Sequence, residues 1–222
     1  LPLPKYAGTN AGAVGVEGTE SGIKGKVKPL CLGRCLNVEP VCVNESSGVY
    51  QVHWRSVQAV TAVYSNGSAL TPGADLPDET ALAAATIPAG AFATCLAKGL
   101  FRINTALGTR ITADVRGDSQ GGYVSTTAGL LGRVLQIMGL DPSGWSAADL
   151  AALDAACPGE IGLYDAAGRK ARELMDDICA GAWAWYSPDR LGVIRFGRVA
   201  APSGLPVAAL GDLHLFDLER VD

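Results

Sequence analysis

Charge is what this sequence has least of. Only 18% of its 222 residues are charged while 48% are hydrophobic, against about 25% charged in a typical soluble domain. A chain with so few charges is expected to hide part of its surface against partners. The net charge is −4 and the pI about 5.2, which argues against a nucleic-acid binder, since those are more often basic. No apolar run reaches about 18 residues, so no segment reads as a membrane-spanning helix. Histidine is nearly missing, with only His53 and His214. There is no Cys-x-x-Cys, P-loop, dinucleotide fingerprint or His-rich metal motif. Zinc needs four nitrogen or sulfur ligands, usually as close pairs, and this spacing offers no such set. No metal and no cofactor is therefore expected.

Cysteine is present but scattered, at 31, 35, 42, 95, 157 and 179. Cys31 and Cys35 lie four residues apart, roughly 13 Å on an extended strand at about 3.3 Å per residue. A disulfide needs Cα atoms within about 7 Å, so the two do not pair unless the chain turns between them. All six read as free thiols used as small apolar side chains.

Residues 1–28 are rich in Gly and Thr and read as an extended arm or linker. Lys24, Lys26 and Lys28 alternate and would share one face of a strand, as a solvated edge that discourages stray pairing. The alternative for them is a phosphate or anion site. From 29 to 118 the pattern is short strands and turns. In 49–54, Tyr50, Val52 and Trp54 face one way, and Gln51 and His53 the other. Residues 59–64 form another strand, followed by Asn66-Gly67, a strong hairpin signal. Asp78 caps one or two helical turns. Strands at 91–96 and 100–103 are joined by Lys98-Gly99. Ile111, Ala113 and Val115 face the core, with Thr112, Asp114 and Arg116 outward. The chain breaks at 117–122.

After that break the apolar period changes from two to 3.6. Leu130, Leu131, Val134, Leu135 and Met138 mark a helix that ends at Gly139. Ser146 to Asp149 resembles a capping box, and its helix stops at Pro158. A short strand at 161–164 precedes a helix over 169–179, with Leu174, Met175 and Ile178 inward and Gly181 as its stop. A hairpin closes around 188–192. The fold class is α+β: a β-rich domain over 29–118, then a smaller α+β domain over 119–199 in the order α-α-β-α-β-β. Residues 200–222 read as a linker, with Ala201-Pro-Ser-Gly-Leu-Pro206, and the start of a further domain. Leu1-Pro-Leu-Pro4 and the uncapped end at Asp222 both read as cut from a longer polypeptide.

Little in the chain points to catalysis. Gly117-Asp-Ser-Gln-Gly-Gly122 resembles the Gly-Asp-Ser-Gly-Gly loop of trypsin-like serine proteases, and His53 lies upstream. That chemistry needs a serine, a histidine base and an aspartate to orient it. Here Gln120 replaces a glycine, His53 sits on the polar face of a strand without the small-residue setting of that family's histidine, and helices follow where a second barrel should be. The loop reads instead as a polar turn. Asp176 and Asp177 point about 100° apart on a helix and make a poor metal pair. Asp217 and Glu219 are the other near-cluster. Trp183 and Trp185 share a strand face and suit a core or partner interface, or, as the alternative, a sugar-stacking surface. No catalytic residue is assigned.

Several segments, in order and spacing, resemble a family of tail proteins of bacteriophages and bacterial prophages. They are Tyr6-Ala-Gly-Thr9, Gly15-Val-Glu-Gly-Thr19, Ile23-Lys-Gly-Lys-Val-Lys-Pro-Leu-Cys-Leu-Gly-Arg34, Asn37-Val-Glu-Pro-Val41, Tyr50-Gln-Val-His53 and Val57-Gln-Ala-Val60. Ala93-Thr-Cys-Leu96, Thr112-Ala-Asp-Val-Arg-Gly117 and the segment from Trp183-Ala-Trp-Tyr186 to Asp189-Arg-Leu-Gly192 complete the set. The resemblance covers nearly the whole chain and is to the middle of a tail-tip or baseplate-hub protein of long-tailed phages. It implies a non-enzymatic virion structural protein, made in the bacterial host cytoplasm and placed in the virion tail, where it acts in assembly and DNA delivery. It further implies a homotrimer around a channel, with other phage tail proteins as partners and no small-molecule substrate. Free thiols suit synthesis in a reducing cytoplasm. The alternative is a host-recognition or glycan-binding module of a phage tail.

Overall fold

The computed structural model of the chain describes residues 1–9, 16–19, 22–105 and 108–201. Asp217, Glu219, His214 and the segment from Pro202 to Asp222 lie outside the described residues. The fold is α+β, with two five-stranded sheets, a two-stranded hairpin and four α-helices described. In chain order the elements are β1 (Leu30–Val38), β2 (Val41–Asn44), β3 (Val49–Gln51), β4 (Val57–Ser65), β5 (Ser68–Ala69), β6 (Thr71–Asp75), α1 (Glu79–Ala84), β7 (Ala91–Cys95), β8 (Leu100–Asn104) and β9 (Ile111–Asp118). Then follow α2 (Thr127–Ile137), α3 (Ala147–Ala156), β10 (Gly162–Asp165), α4 (Ala171–Ala182), β11 (Ala184–Pro188) and β12 (Ile194–Arg198), the order α-α-β-α-β-β.

The first sheet runs β10-β1-β9-β4-β5 and the second β2-β3-β8-β7-β6. All pairs are antiparallel except β6–β7. The sheets face each other across Cys31, Cys35, Val57, Val63, Ala113 and Val115 on one side and Val52, Phe92, Phe101 and Ile103 on the other. The outer face of the second sheet is covered by Leu82 of α1, Ile87 and Tyr6. Helices α2, α3 and α4 cover Leu30 and Leu32 of β1 and Leu163 of β10. β1 is thus apolar on both faces, and Leu30, Cys31 and Leu32 are all fully buried.

Local signals explain the turns. Asn66 and Gly67 both take positive φ, 49° and 81°, as a type I′ hairpin demands. Asp78, Thr126 and Ser146 each accept a hydrogen bond from a backbone N–H in the first turn of their helix. Gly139 leaves α2 at φ 79°.

Four details differ from the sequence pattern. β9 does not stop at Arg116 but carries Gly117 and Asp118 inward, both buried, because Gly117 has no Cβ to strike the Cys31 carbonyl on the neighbouring strand. Gln51 and His53 are not on a polar, solvent-facing side. Both are buried, and Gln51 accepts from the Tyr6 hydroxyl at 2.7 Å and donates to the Lys98 carbonyl. Lys28 is not on a solvated edge: residues 22–25 turn, and Lys28 folds onto Glu17 and over the Tyr6 ring. α4 runs through Gly181, since a glycine stops a helix only where the chain turns left-handed, and that turn falls on Trp183.

α1 is only six residues long with no basic residue in its last turn. Its free carbonyls are met from the sheet. Arg102 on β8 donates to the carbonyls of Leu82, Ala83 and Ala85, and to that of Ser47. Arg102→Met keeps the stem but leaves these groups without a charged donor. A loss of about 1.5–3 kcal/mol is expected in urea unfolding, with native-state hydrogen exchange rising first at α1.

Candidate functional site

Two places in the molecule concentrate side chains of functional character. The first lies at the end of β9. Asp118 is fully buried and receives Arg55 through both nitrogens, Nε at 3.0 Å and a short Nη2 contact. Arg133 of α2 adds Nη1 at 2.8 Å, and the Gln120 amide donates at 3.0 Å. Arg133 also donates to the carbonyls of Gln120 and Gly122. One carboxylate thereby joins β9, the segment after β3, the 117–122 turn and α2. Burial on its own would raise the Asp118 pKa. The contacts from His53, Arg55 and the Gln120 amide outweigh it and hold the carboxyl well below the usual carboxylate range.

His53 touches this cluster from the other side. Its Nδ1 accepts the Cys31 N–H at 3.0 Å, so in the neutral ring the proton sits on Nε2, which faces Asp118 Oδ1 at 3.6 Å. That is longer than a hydrogen bond, so the attraction is that of a dipole toward a charge. Burial pushes the His53 pKa down, and the charges of Arg55 and Arg133 push the same way against Asp118. The imidazole is neutral and enclosed, hydrogen-bonded at Nδ1 alone, with Nε2 turned toward the carboxylate but without a hydrogen-bond acceptor.

The protease-like loop is therefore brought near its histidine without the relay. A serine hydrolase needs the histidine nitrogen opposite its aspartate to reach the serine hydroxyl. Here that nitrogen is taken by a backbone amide of β1. Ser119 is held through its own N–H, which donates to the Ser56 carbonyl. Gln120 is exposed, and it is its backbone that serves the cluster. Arg55 and Arg133 escape a reading by motif. One signal does exist: Arg133 falls three residues after Leu130, on the apolar face of α2, where a charge requires a buried partner.

The second place is the β11–β12 hairpin. It is mounted rigidly. Asp149 of α3 receives Arg195 through both nitrogens, at 2.6 and 3.0 Å, and the Phe196 N–H at 3.2 Å. The Arg195 hydrogen bonds hold the Asp149 carboxyl well below its ordinary range. Tyr186 donates to Asp176 of α4 at 2.7 Å, Phe196 enters the helical core, and the Ser146 N–H reaches the Ile194 carbonyl. Facing away from that core are Trp183, Trp185 and Val199, all exposed. Trp185 lies against its cross-strand partner Gly197, where a Cβ would strike the indole. Beside the hairpin an open groove of about 710 Å³ is lined by Leu135, Met138, Met175, Cys179, Tyr186 and Ile194. The two tryptophans are thus a surface feature and not part of the core.

Asp176 and Asp177 engage Arg172 and Arg169 respectively and do not converge. Among the described residues no group of three His, Cys, Asp or Glu side chains forms a metal-holding cluster. All six cysteines are free. No described helix is long and apolar enough to cross a membrane. Comparison of the chain with protein-family models, curated proteins and solved structures gives no match in any of the three.

Proposed function

We propose that this chain is a non-enzymatic structural module of a phage tail tip or baseplate hub, made in the bacterial host and assembled into the virion tail as a homo-oligomer of three-fold symmetry with other tail proteins. The observation that carries the reading is the division of labour between the two places just described. His53 and Asp118, the histidine and the carboxylate that the protease-like loop would need, are sealed inside and consumed in joining strands to a helix. What the molecule presents outward is a braced apolar hairpin, the kind of surface that marks a partner contact. The biological setting rests on the resemblance of the ordered sequence segments to phage tail proteins.

A second reading has one observation in its favour: two exposed tryptophans, Trp183 at the end of α4 and Trp185 on β11, also suit stacking against a sugar, as in a host-recognition module. Localisation in an assembled particle separates the two. Density for this chain around the central axis of the tail tip is the expected result in electron microscopy. Density confined to peripheral fibres, or binding of the chain to host polysaccharide, defeats the hub in favour of recognition.

A further inference from the structure

The hairpin carries a cost that the folded chain does not need. Trp183 closes α4 in the left-handed conformation, at φ 54° and ψ 32°. That conformation suits glycine and strains a bulky L-residue by about 1–2 kcal/mol. The strained residue is also 71% exposed, so its indole recovers little by burial. Glycine at this position would end the helix without strain. Trp185, Val199, Leu191 at the turn and Met138 in the adjoining groove extend the apolar surface, with Leu191 89% exposed. Together they present on the order of 500–600 Å² of apolar area, taking 150–250 Å² for a whole aromatic side chain. A standard interface buries about 800 Å² on each partner, so this patch with its polar rim is of interface size. The outer edge of β11 is paired with nothing among the described residues, its sheet being β11 and β12 alone.

Charge indicates what the patch receives. The chain as a whole is acidic, yet the hairpin carries Arg190, Arg195 and Arg198 against one carboxylate, Asp189. Arg195 is engaged by Asp149, while Arg190 and Arg198 are exposed. The opposite character appears at β6, the outermost strand of the second sheet, with every residue exposed. From Thr71 through Glu79 it carries Asp75, Asp78 and Glu79, with Pro72, Ala74 and Leu76 between them. Glu79 is paired with Lys98, while Asp75 and Asp78 accept only from neutral hydroxyl and backbone donors and keep their charge. A basic apolar edge and an acidic apolar edge on one chain are mutually complementary, and contacts of two different patches propagate head to tail, closing into a ring where the rotation between copies is a whole fraction of a turn.

We infer that the β11–β12 hairpin of one copy docks on the β6 edge of a second copy, with Trp183 and Trp185 as the anchors. This rests on the reading of the chain as a self-assembling module, and it names the two surfaces that meet.

The test is sedimentation of the full 222-residue chain over a range of concentrations, with three variants. Trp183→Gly is expected to leave stability unchanged or raised while weakening self-association by about 30-fold, the size of an interface hot spot. Arg190→Glu/Arg198→Glu and Thr71→Lys/Ala74→Lys/Glu79→Lys are each expected to be monomeric alone, and to associate when mixed. Arg190, Arg198, Thr71 and Ala74 are exposed and Glu79 is half-buried, and all lie outside the buried ion cluster. A wild-type chain that stays monomeric at all concentrations overturns the inference, as does association indifferent to Trp183→Gly. Charge variants that fail to associate on mixing overturn β6 as the receiving edge. A monomer that binds host polysaccharide through Trp183 hands the surface to a glycan. Failure here with axial density in the particle refutes the docking surfaces alone, whereas peripheral density refutes the hub reading itself.

Discussion

Asp118→Ala is expected to lower the free energy of unfolding by about 3–5 kcal/mol, the cost of removing one member of a buried ion cluster. Two guanidiniums, Arg55 and Arg133, would lose their shared carboxylate, and Arg133 is itself nearly enclosed. The Gln120 N–H would lose its acceptor, so the 117–122 turn loosens together with the start of α2. Urea unfolding followed by tryptophan fluorescence measures the loss. Acid should mimic it. The folded-state pKa of Asp118 is depressed, so its contribution is complete above the unfolded value near 4 and is lost as pH falls toward the folded value. His53 acts earlier in the same direction. Its folded pKa is also depressed, below the ordinary 6.5, so the unfolded chain takes up a proton that the folded chain refuses. Stability should therefore decline as pH drops below about 6.5, with a slope of at most about 1.4 kcal/mol per pH unit from this one group. His53→Gln should flatten that upper limb. An unchanged slope in the variant would contradict the assignment of a neutral, enclosed imidazole.

Gly33→Ala is the second large effect expected. Gly33 sits in β1 at φ 66°, and a Cβ there would run into the backbone carbonyl of Ile161 at the edge of β10. The partner strand answers with Gly162, whose own Cβ would meet the Arg34 carbonyl. Two glycines face each other across this seam, with Gly33 paired to Gly162, and no side chain fits between. Left-handed strain of about 1–2 kcal/mol and overpacking of about 1–3 kcal/mol give an expected loss of about 3 kcal/mol or more. The matching control is Gly121→Ala. Gly121 has φ 73° but open space around its Cβ position, so only the strain of about 1–2 kcal/mol applies. A Gly33 variant no less stable than the Gly121 variant would show that β10 does not depend on this close approach. The seam matters because β10 arises after α3 yet completes the first sheet, and it holds the helices over Leu30 and Leu32.

The pattern of apolar residues was by itself enough to determine most of the elements. The period of two in Ile111, Ala113 and Val115 is the buried face of β9, and Leu130, Leu131, Val134 and Leu135 are the buried face of α2. Asn66-Gly67, Asp78 and Ser146 marked their turn and helix starts because each acts within four residues of itself, through positive φ or a side-chain oxygen. What lay beyond reach was everything set by residues far apart in the chain. Asp118 and His53 are 65 positions apart, and that both are buried follows only from β9 passing beside β1, which polarity alone argued against. Arg133 on an apolar helix face made sense only once a carboxylate stood opposite. Trp183 and Trp185 suited a core or a partner interface by sequence, since alternation tells which residues share a face and not which face is covered. Tertiary packing decided it: Phe196 and Tyr186 took the inner side of the hairpin against α3 and α4, which left the tryptophans outward.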